Sequence, residues 1–106
     1  MDAKTRVRHE ARAKILKALA HPTRLFMVVE LASGEKCVRE LQEMIGADMS
    51  TVSKHLAQLK SAGVVEDDKR GSQVFYSLRA TCVPGFLDCI ENILKDNLKR
   101  ELERVR

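Results

Sequence analysis

The chain has 106 residues, of which 44% are hydrophobic and 32% are charged, and its net charge is +4 with an isoelectric point near 9.2. This length fits a single domain over residues 1–106 that buries its own core, and the mild basic excess is compatible with a polyanionic partner. Aromatic side chains, at 4%, are too few for the stacking platforms that bind single-stranded nucleic acid. No apolar run approaches the roughly 20 residues of a membrane span, and the charged N-terminus leads into no signal segment. We therefore expect a cytoplasmic protein without a membrane partner.

Apolar spacing and helix-breaking residues predict four helices in the first part of the chain. The His21-Pro22 pair separates the first two helices, and Pro22 suits the first turn of the second. Ser33-Gly34 ends the second helix, and a tight corner at Gly46-Ala47 separates the third from the fourth, which Asp48 caps. The predicted helices cover about residues 4–19, 22–32, 38–45 and 49–62.

The rest of the chain predicts a β-hairpin and a long last helix. Residues 64–67 and 73–78 favour strands, and Asp68–Ser72 between them is a predicted turn with a basic tip. Pro84 opens a helix that runs to about Val105 and carries a leucine-rich stripe spaced by three and four residues. The predicted order is α-α-α-α-β-β-α, which is a mainly α fold with a small β-hairpin.

The third and fourth helices together with the hairpin have the features of a winged helix-turn-helix. The fourth helix has an apolar side for the core and a side of polar residues that suits the major groove of DNA. The basic residues of the hairpin are placed to reach phosphates. A polar helix face or a basic turn alone is more often only solvated, but the ordered set predicts binding to double-stranded DNA. The predicted contacts are Ser50, Thr51, Ser53, Lys54, His55, Gln58, Lys69 and Arg70.

Several stretches of the chain resemble the ArsR/SmtB family of bacterial winged-helix repressors. The most specific are Ala18–Leu25, Thr51–Leu59 and Arg70–Leu78, and the resemblance covers most of residues 11–80. It implies a homodimer paired through the first and last helices. It also implies a repressor of stress-response genes that leaves its near-palindromic operator when an inducer binds. The stripe of the last helix, which continues past what a core of this size needs, independently favours a dimer.

The resemblance makes Cys37, Cys82 and Cys89 the candidate inducer site. The family's zinc-type site uses histidine in the last helix and its cadmium/lead-type site uses N-terminal cysteines, and this chain has neither. One arsenical layout has Cys-Val-Cys near the third helix, where this chain has Cys37-Val38-Arg39. A second layout includes two cysteines seven residues apart near the start of the last helix, a spacing that Cys82 and Cys89 match. The chain thus combines parts of both layouts.

Soft thiolates select thiophilic ions, and trivalent arsenic or antimony takes three sulfurs. We therefore expect no permanently bound cofactor, and such an ion as the inducer, held by Cys37, Cys82 and Cys89. Seven residues along one helix rise about 10.5 Å. The site consequently needs the segment before Pro84-Gly85 to fold back toward Cys89. The simpler interpretation of any one cysteine is a small buried hydrophobic residue.

Two other functions stay open. Cys82 and Cys89 flank a predicted helix start and are equally suited to a disulfide or polysulfide link, so a redox- or persulfide-sensing repressor is one alternative. A DNA-binding protein without any inducer response is the other. An enzyme is not expected, because Cys–His catalysis needs a base beside a cysteine and a cleft, and His55 lies on the predicted DNA face.

Overall fold

The structure, a computed structural model, describes residues 1–105 and has the architecture of a winged helix-turn-helix. Helices dominate, and a small antiparallel sheet of three strands forms the wing, which confirms the predicted fold class. The elements are α1 (Ala3–Leu19), α2 (Pro22–Ala32), β1 (Lys36–Cys37), α3 (Val38–Ile45), α4 (Met49–Ser61), β2 (Val65–Arg70), β3 (Gln73–Leu78) and α5 (Val83–Arg104).

The strand β1 is absent from the predicted order α-α-α-α-β-β-α. It pairs with β3, with Lys36 opposite Tyr76 and Cys37 opposite Phe75, so the strand order of the sheet is β1-β3-β2. A strand of two residues has no periodicity in the sequence, and only the pairing with β3 defines it. Because α3 begins directly after Cys37, this pairing fixes the start of the helix-turn-helix against the wing.

The hairpin turn is shorter than the predicted Asp68–Ser72 loop. Arg70 pairs directly with Gln73, which leaves only Gly71 and Ser72 in the turn. Gly71 has a φ of +63°, the left-handed conformation that two-residue hairpin turns favour. The prediction was wrong because it treated a charged run as loop, whereas a strand at the edge of a sheet tolerates charged side chains. The last charged residues of β2 therefore alternate between the two faces of the wing.

The core lies between α2, α3, α4 and the sheet. α1 contributes to it only near its end, through Leu19, and α5 only near its start, through Val83 and the partly buried Leu87. Most of the length of these two helices therefore lies outside the core. The buried cluster consists of Leu19, Met27, Val28, Leu31, Leu41, Val52, Leu56, Leu59, Val64, Val65 and Val83.

A buried arginine joins the end of α1 to α4. Arg24 on α2 is 8% exposed, and its guanidinium donates to the carbonyls of Lys17 and Ala18 in the last turn of α1. Its Nη1 also lies 3.1 Å from Nδ1 of His55 on α4. Because arginine can only donate, His55 accepts at Nδ1 and is neutral. The cation satisfies backbone carbonyls at the carboxyl end of α1, so Arg24 ties α4 to two other helices.

Replacing Arg24 with lysine should lower the free energy of unfolding by about 1–3 kcal/mol. A single ammonium group cannot span the acceptors on α1 and α4, so at least one of them loses its partner. Urea denaturation at one fixed protein concentration measures the change. The control is Arg100→Lys, because Arg100 lies exposed on α5 beside Asp96 and its replacement should cost less than about 0.5 kcal/mol. Equal losses in both variants would contradict this role of Arg24.

Candidate DNA-binding surface and thiol positions

The corner between α3 and α4 sets the direction of α4. Gly46 has a φ of +78° and ends α3 in the left-handed conformation, where a side chain would be strained. Asp48 then caps α4 by accepting a hydrogen bond of 2.7 Å from the backbone N–H of Thr51. This hydrogen bond lowers the pKa of Asp48, so the carboxylate is charged at the positive end of the helix dipole. Both signals agree with the predicted helix-turn-helix corner.

The two sides of α4 have opposite character. Val52, Leu56 and Leu59 are fully buried in the core, as predicted. The other side is exposed and carries hydroxyl, ammonium and carboxamide groups that donate to or accept from base edges and phosphates. Its predicted contact residues that lie exposed are Ser50, Thr51, Ser53, Lys54 and Gln58.

His55 lies in a different environment from the other predicted contact residues of α4. It is half-buried, its Nδ1 accepts from Arg24, and its ring centroid is 4.3 Å from that of His21. Burial lowers the pKa of His55, and the neighbouring charges of His21 and Arg24 lower it further. One ring nitrogen is thus committed to holding α4 in place, and only Nε2 is left for a ligand.

The basic residues of the wing are not equivalent. Arg70 is held by Glu35, with oxygen–nitrogen distances of 2.6 and 3.0 Å, and by Asp68 at 2.9 Å. These two carboxylates raise the pKa of Arg70 above its ordinary value. Lys69 lies exposed on the other face of the hairpin, and no ion pair of Lys69 occurs within the described residues. Sequence periodicity did not reveal the Glu35 contact, because the two partners are 35 residues apart.

Two further lysines lie beside α4. Lys14 and Lys17 of α1 line a groove of about 360 Å³ whose other wall is formed by Gln58 and Ser61 of α4. The predicted role of α1 was dimerisation, and no DNA contact was predicted for its basic residues. The two lysines are three residues apart, which places both on one side of a helix. This spacing could have predicted a basic surface on α1. The groove extends the positively charged surface from the outer side of α4 onto α1.

The three cysteines occupy three separate positions. Cys37 is buried before α3, where its backbone N–H donates to Glu40 Oε1 at 3.2 Å. It also lines a cavity of about 440 Å³ between α4 and the turn of the wing, together with Ser53 and Gln73. Cys82 and Cys89 are both exposed at or on α5. No cluster of three potential metal-ligating side chains is found within residues 1–105.

The start of α5 differs from the prediction. The helix begins at Val83, one residue before Pro84, and the backbone of Cys82 already has a helical conformation. The carbonyl of Cys82 accepts from the N–H of Phe86 at 3.2 Å, so Cys82 belongs to the first turn of the helix and does not fold back toward Cys89. Two residues seven apart face the same side of a helix with a rise of about 10.5 Å. In this conformation, Cys82 and Cys89 do not converge on one small ion.

α1 and α5 expose a large apolar area. Leu16 of α1 and Phe86 and Ile90 of α5 line a common cavity of about 250 Å³ against the core. Farther along α5 the stripe continues into solvent, and charged residues cover the opposite side of the helix. No described helix combines the length and apolar character that crossing a membrane requires. The exposed apolar residues of the two helices are Val7, Ile15, Leu16, Phe86, Ile90, Ile93, Leu94, Leu98, Leu102 and Val105.

Sequence comparison places the helix-turn-helix among bacterial regulators. Residues 21–67 match the family model described as "Bacterial regulatory protein, arsR family". The arsenic resistance transcriptional regulator ArsR1 of Pseudomonas putida is 38% identical over 77 residues, which is 72% of this chain and 59% of that protein. Identity to other curated regulators reaches 42%, and the aligned segment covers between 51% and 63% of their own length.

Solved structures match almost the whole chain. The transcriptional repressor BigR from Xylella fastidiosa is 33% identical, with a TM-score of 0.72, and the match covers 88% of this chain and 96% of that one. A homodimeric winged helix-turn-helix DNA-binding domain from Mycobacterium bovis is 26% identical, with a TM-score of 0.79 and coverage of 94% and 93%. The family and these relatives are DNA-binding transcriptional regulators and not enzymes. This chain belongs to the ArsR/SmtB family of winged helix-turn-helix transcriptional repressors.

Proposed function

We propose that this chain represses transcription as a homodimer bound to a near-palindromic operator, and that it leaves the operator when its thiols capture trivalent arsenic or antimony. One observation carries the DNA-binding part of the proposal. α4 buries one side completely in the core and exposes the other side, with its short polar residues and Lys54, at a helix-turn-helix corner. Such a helix fits the major groove, and Met49 at its first position is the one large apolar residue of α4 that is exposed among the described residues.

Charge around α4 supports the same assignment. Lys54 lies on its outer side, and Lys14 and Lys17 line the adjoining groove. Each lysine that contacts a phosphate releases counterions from the duplex, so binding should be steeply salt-dependent. The hydroxyl and carboxamide groups of α4 then supply the contacts to base edges that determine sequence preference.

Lys54→Gln should weaken binding to a duplex selected by the wild-type chain from a random pool. Loss of one phosphate contact from each subunit of the dimer should reduce the slope of log K against log salt concentration by about 1.8, which is about 0.9 for each contact. Fluorescence anisotropy at several salt concentrations measures both quantities. The matched control is Lys99→Gln on α5, which removes the same charge far from α4 and should leave the slope unchanged. The DNA face would be misassigned if both variants changed the slope equally.

The exposed stripe of α5 supports a dimer through α1 and α5. Leu94, Leu98 and Leu102 are 56%, 64% and 63% exposed in the single chain. A stripe of this size is costly to leave in water and is typical of a helix that packs against another chain. The Mycobacterium bovis relative is described as homodimeric. Two linked copies would place two α4 helices in successive major grooves of one operator.

Leu98→Glu should convert the protein to monomers at micromolar concentration. The charge would be buried in the α5 interface without a partner, whereas the core of each subunit would not change. Sedimentation equilibrium measures the mass, and operator affinity should fall by about 100-fold because the second half-site no longer adds avidity. Asn92→Glu makes the same charge change on another side of α5 and should stay dimeric. A dimeric Leu98→Glu protein would place the interface elsewhere.

Thiol chemistry supports the choice of inducer. The chain has three cysteines, and thiolates prefer soft ions. A relative that is 38% identical is named as an arsenic resistance regulator. Because Cys82 and Cys89 are two helical turns apart, capture of one ion requires the first turn of α5 to open or a second subunit to donate a thiol. Opening that turn would disturb the connection between β3 and α5, and a coupling of about 1–3 kcal/mol is enough to lower operator affinity.

Cys82→Ser and Cys89→Ser should each bind the operator normally and fail to leave it when arsenite is added. The measurement is titration of the preformed operator complex, and Cys37→Ser tests the third ligand. Normal release from Cys82→Ser or Cys89→Ser would exclude this site. Release of the wild type by peroxide or polysulfide, and not by arsenite, would favour the redox-sensing alternative. No release by any of these agents would favour a protein without an inducer.

A further inference from the structure

The guanidinium of Arg70 is already bound to carboxylates in the free chain. Glu35 accepts from Nη1 at 2.6 Å and from Nη2 at 3.0 Å, which is a parallel two-point contact. Asp68 accepts from Nε at 2.9 Å, and the guanidinium carbon lies 4.5 Å from the centre of the Phe75 ring. Arginine binds a phosphate through the same two-point arrangement. The Glu35 carboxylate therefore occupies the edge of Arg70 that a phosphate of the DNA backbone would use.

The Glu35–Arg70 contact lies at the wing. Glu35 follows Gly34 in the loop between α2 and β1, and Arg70 is the last residue of β2, next to the turn. The contact thus joins the tip of the hairpin to the start of the sheet. Both side chains are close to half exposed, so water competes with the pair and its net strength is small. A polyanion such as duplex DNA, whose attraction comes from many phosphates, is therefore able to displace Glu35 at modest cost.

We propose that Glu35 competes with a backbone phosphate of the operator for Arg70, and so limits how much the wing contributes to DNA affinity. The inference rests on the proposed binding of duplex DNA. When a phosphate takes the place of Glu35, the Glu35–Arg70 pair is lost, and this loss offsets part of what the phosphate contact contributes. The net gain from Arg70 is therefore small in the native chain. Glu35 acts through Arg70 and needs no contact with DNA.

If Glu35 and a phosphate compete for Arg70, the effect of substituting either residue on operator affinity depends strongly on whether the other residue is present. Glu35→Gln removes the charge but keeps the size of the side chain, and should tighten operator binding about two- to fivefold, the range that corresponds to a surface ion pair. It should also steepen the salt dependence by up to about 0.9 in slope for each subunit of the dimer, because Glu35 then no longer competes for Arg70 while Asp68 stays paired with it. Arg70→Gln should weaken the native chain little and the Glu35→Gln chain several-fold more.

The test is a double-mutant cycle with the full chain and a duplex selected by the wild type. Operator affinity and salt slope are measured for the wild type, Glu35→Gln, Arg70→Gln and the double variant. Glu66→Gln is the matched control, because Glu66 is an exposed carboxylate on the same strand as Arg70. Its effect should be the same with and without Arg70. Thermal unfolding of each variant checks that the wing stays folded.

The outcomes separate the inference from the function on which it rests. Tighter binding by Glu35→Gln that disappears in the Arg70→Gln background supports competition. A gain of equal size in both backgrounds would overturn it, because Glu35 would then act only through its charge. Weaker binding by Glu35→Gln would also overturn it and make Glu35 a residue that positions Arg70 for DNA. If the wild type prefers no duplex over another, the proposed function itself fails.

Discussion

The structure depends on one constraint: α4 packs into the core through one side while its other side stays exposed to solvent. α4 achieves this with three aliphatic residues that are fully buried, Val52, Leu56 and Leu59. The bond between Arg24 and His55 adds a polar connection from α4 to α2 and to the end of α1. This connection matters for function because α1 is also a proposed dimer helix. Arg24 thus connects the end of α1 to α4, in addition to the direct packing of the two helices along the groove that Lys17 and Gln58 line.

Nearby carboxylates neutralise part of the positive charge of the wing. Acidic residues precede Lys69 and Arg70 on β2, and Arg70 is paired twice. Lys60 of α4 is likewise paired, with Asp67 at 3.0 Å. Within residues 1–105, exposed cations without an ion pair lie beside α4 on three helices, namely Lys54 on α4 itself, Lys14 and Lys17 on α1, and Arg39 on α3. Under the proposed function, the helices therefore supply most of the attraction for DNA and the wing a smaller share.

Helices and core were predictable from the sequence because their signals are local and periodic. The boundaries of α3 and α4 follow from Gly46 and Asp48, whose backbone conformation and capping agree with the prediction. Features that depend on distant partners were not predictable. β1 exists only through its pairing with β3, and the Glu35–Arg70 contact joins residues far apart in the chain. The start of α5 was also predicted wrongly, although its cause is local: the carbonyl of Cys82 accepts from Phe86, so the helical conformation begins before Pro84.

The central claim is that two copies of this chain place two α4 helices in successive major grooves of one operator. Hydroxyl-radical footprinting of a selected duplex, together with methylation interference at guanine N7, tests it most directly. The account predicts two symmetric half-sites whose centres are about 10 base pairs apart, with interference in the major groove of each. A single protected segment, or protection without any interference in the major groove, would contradict it.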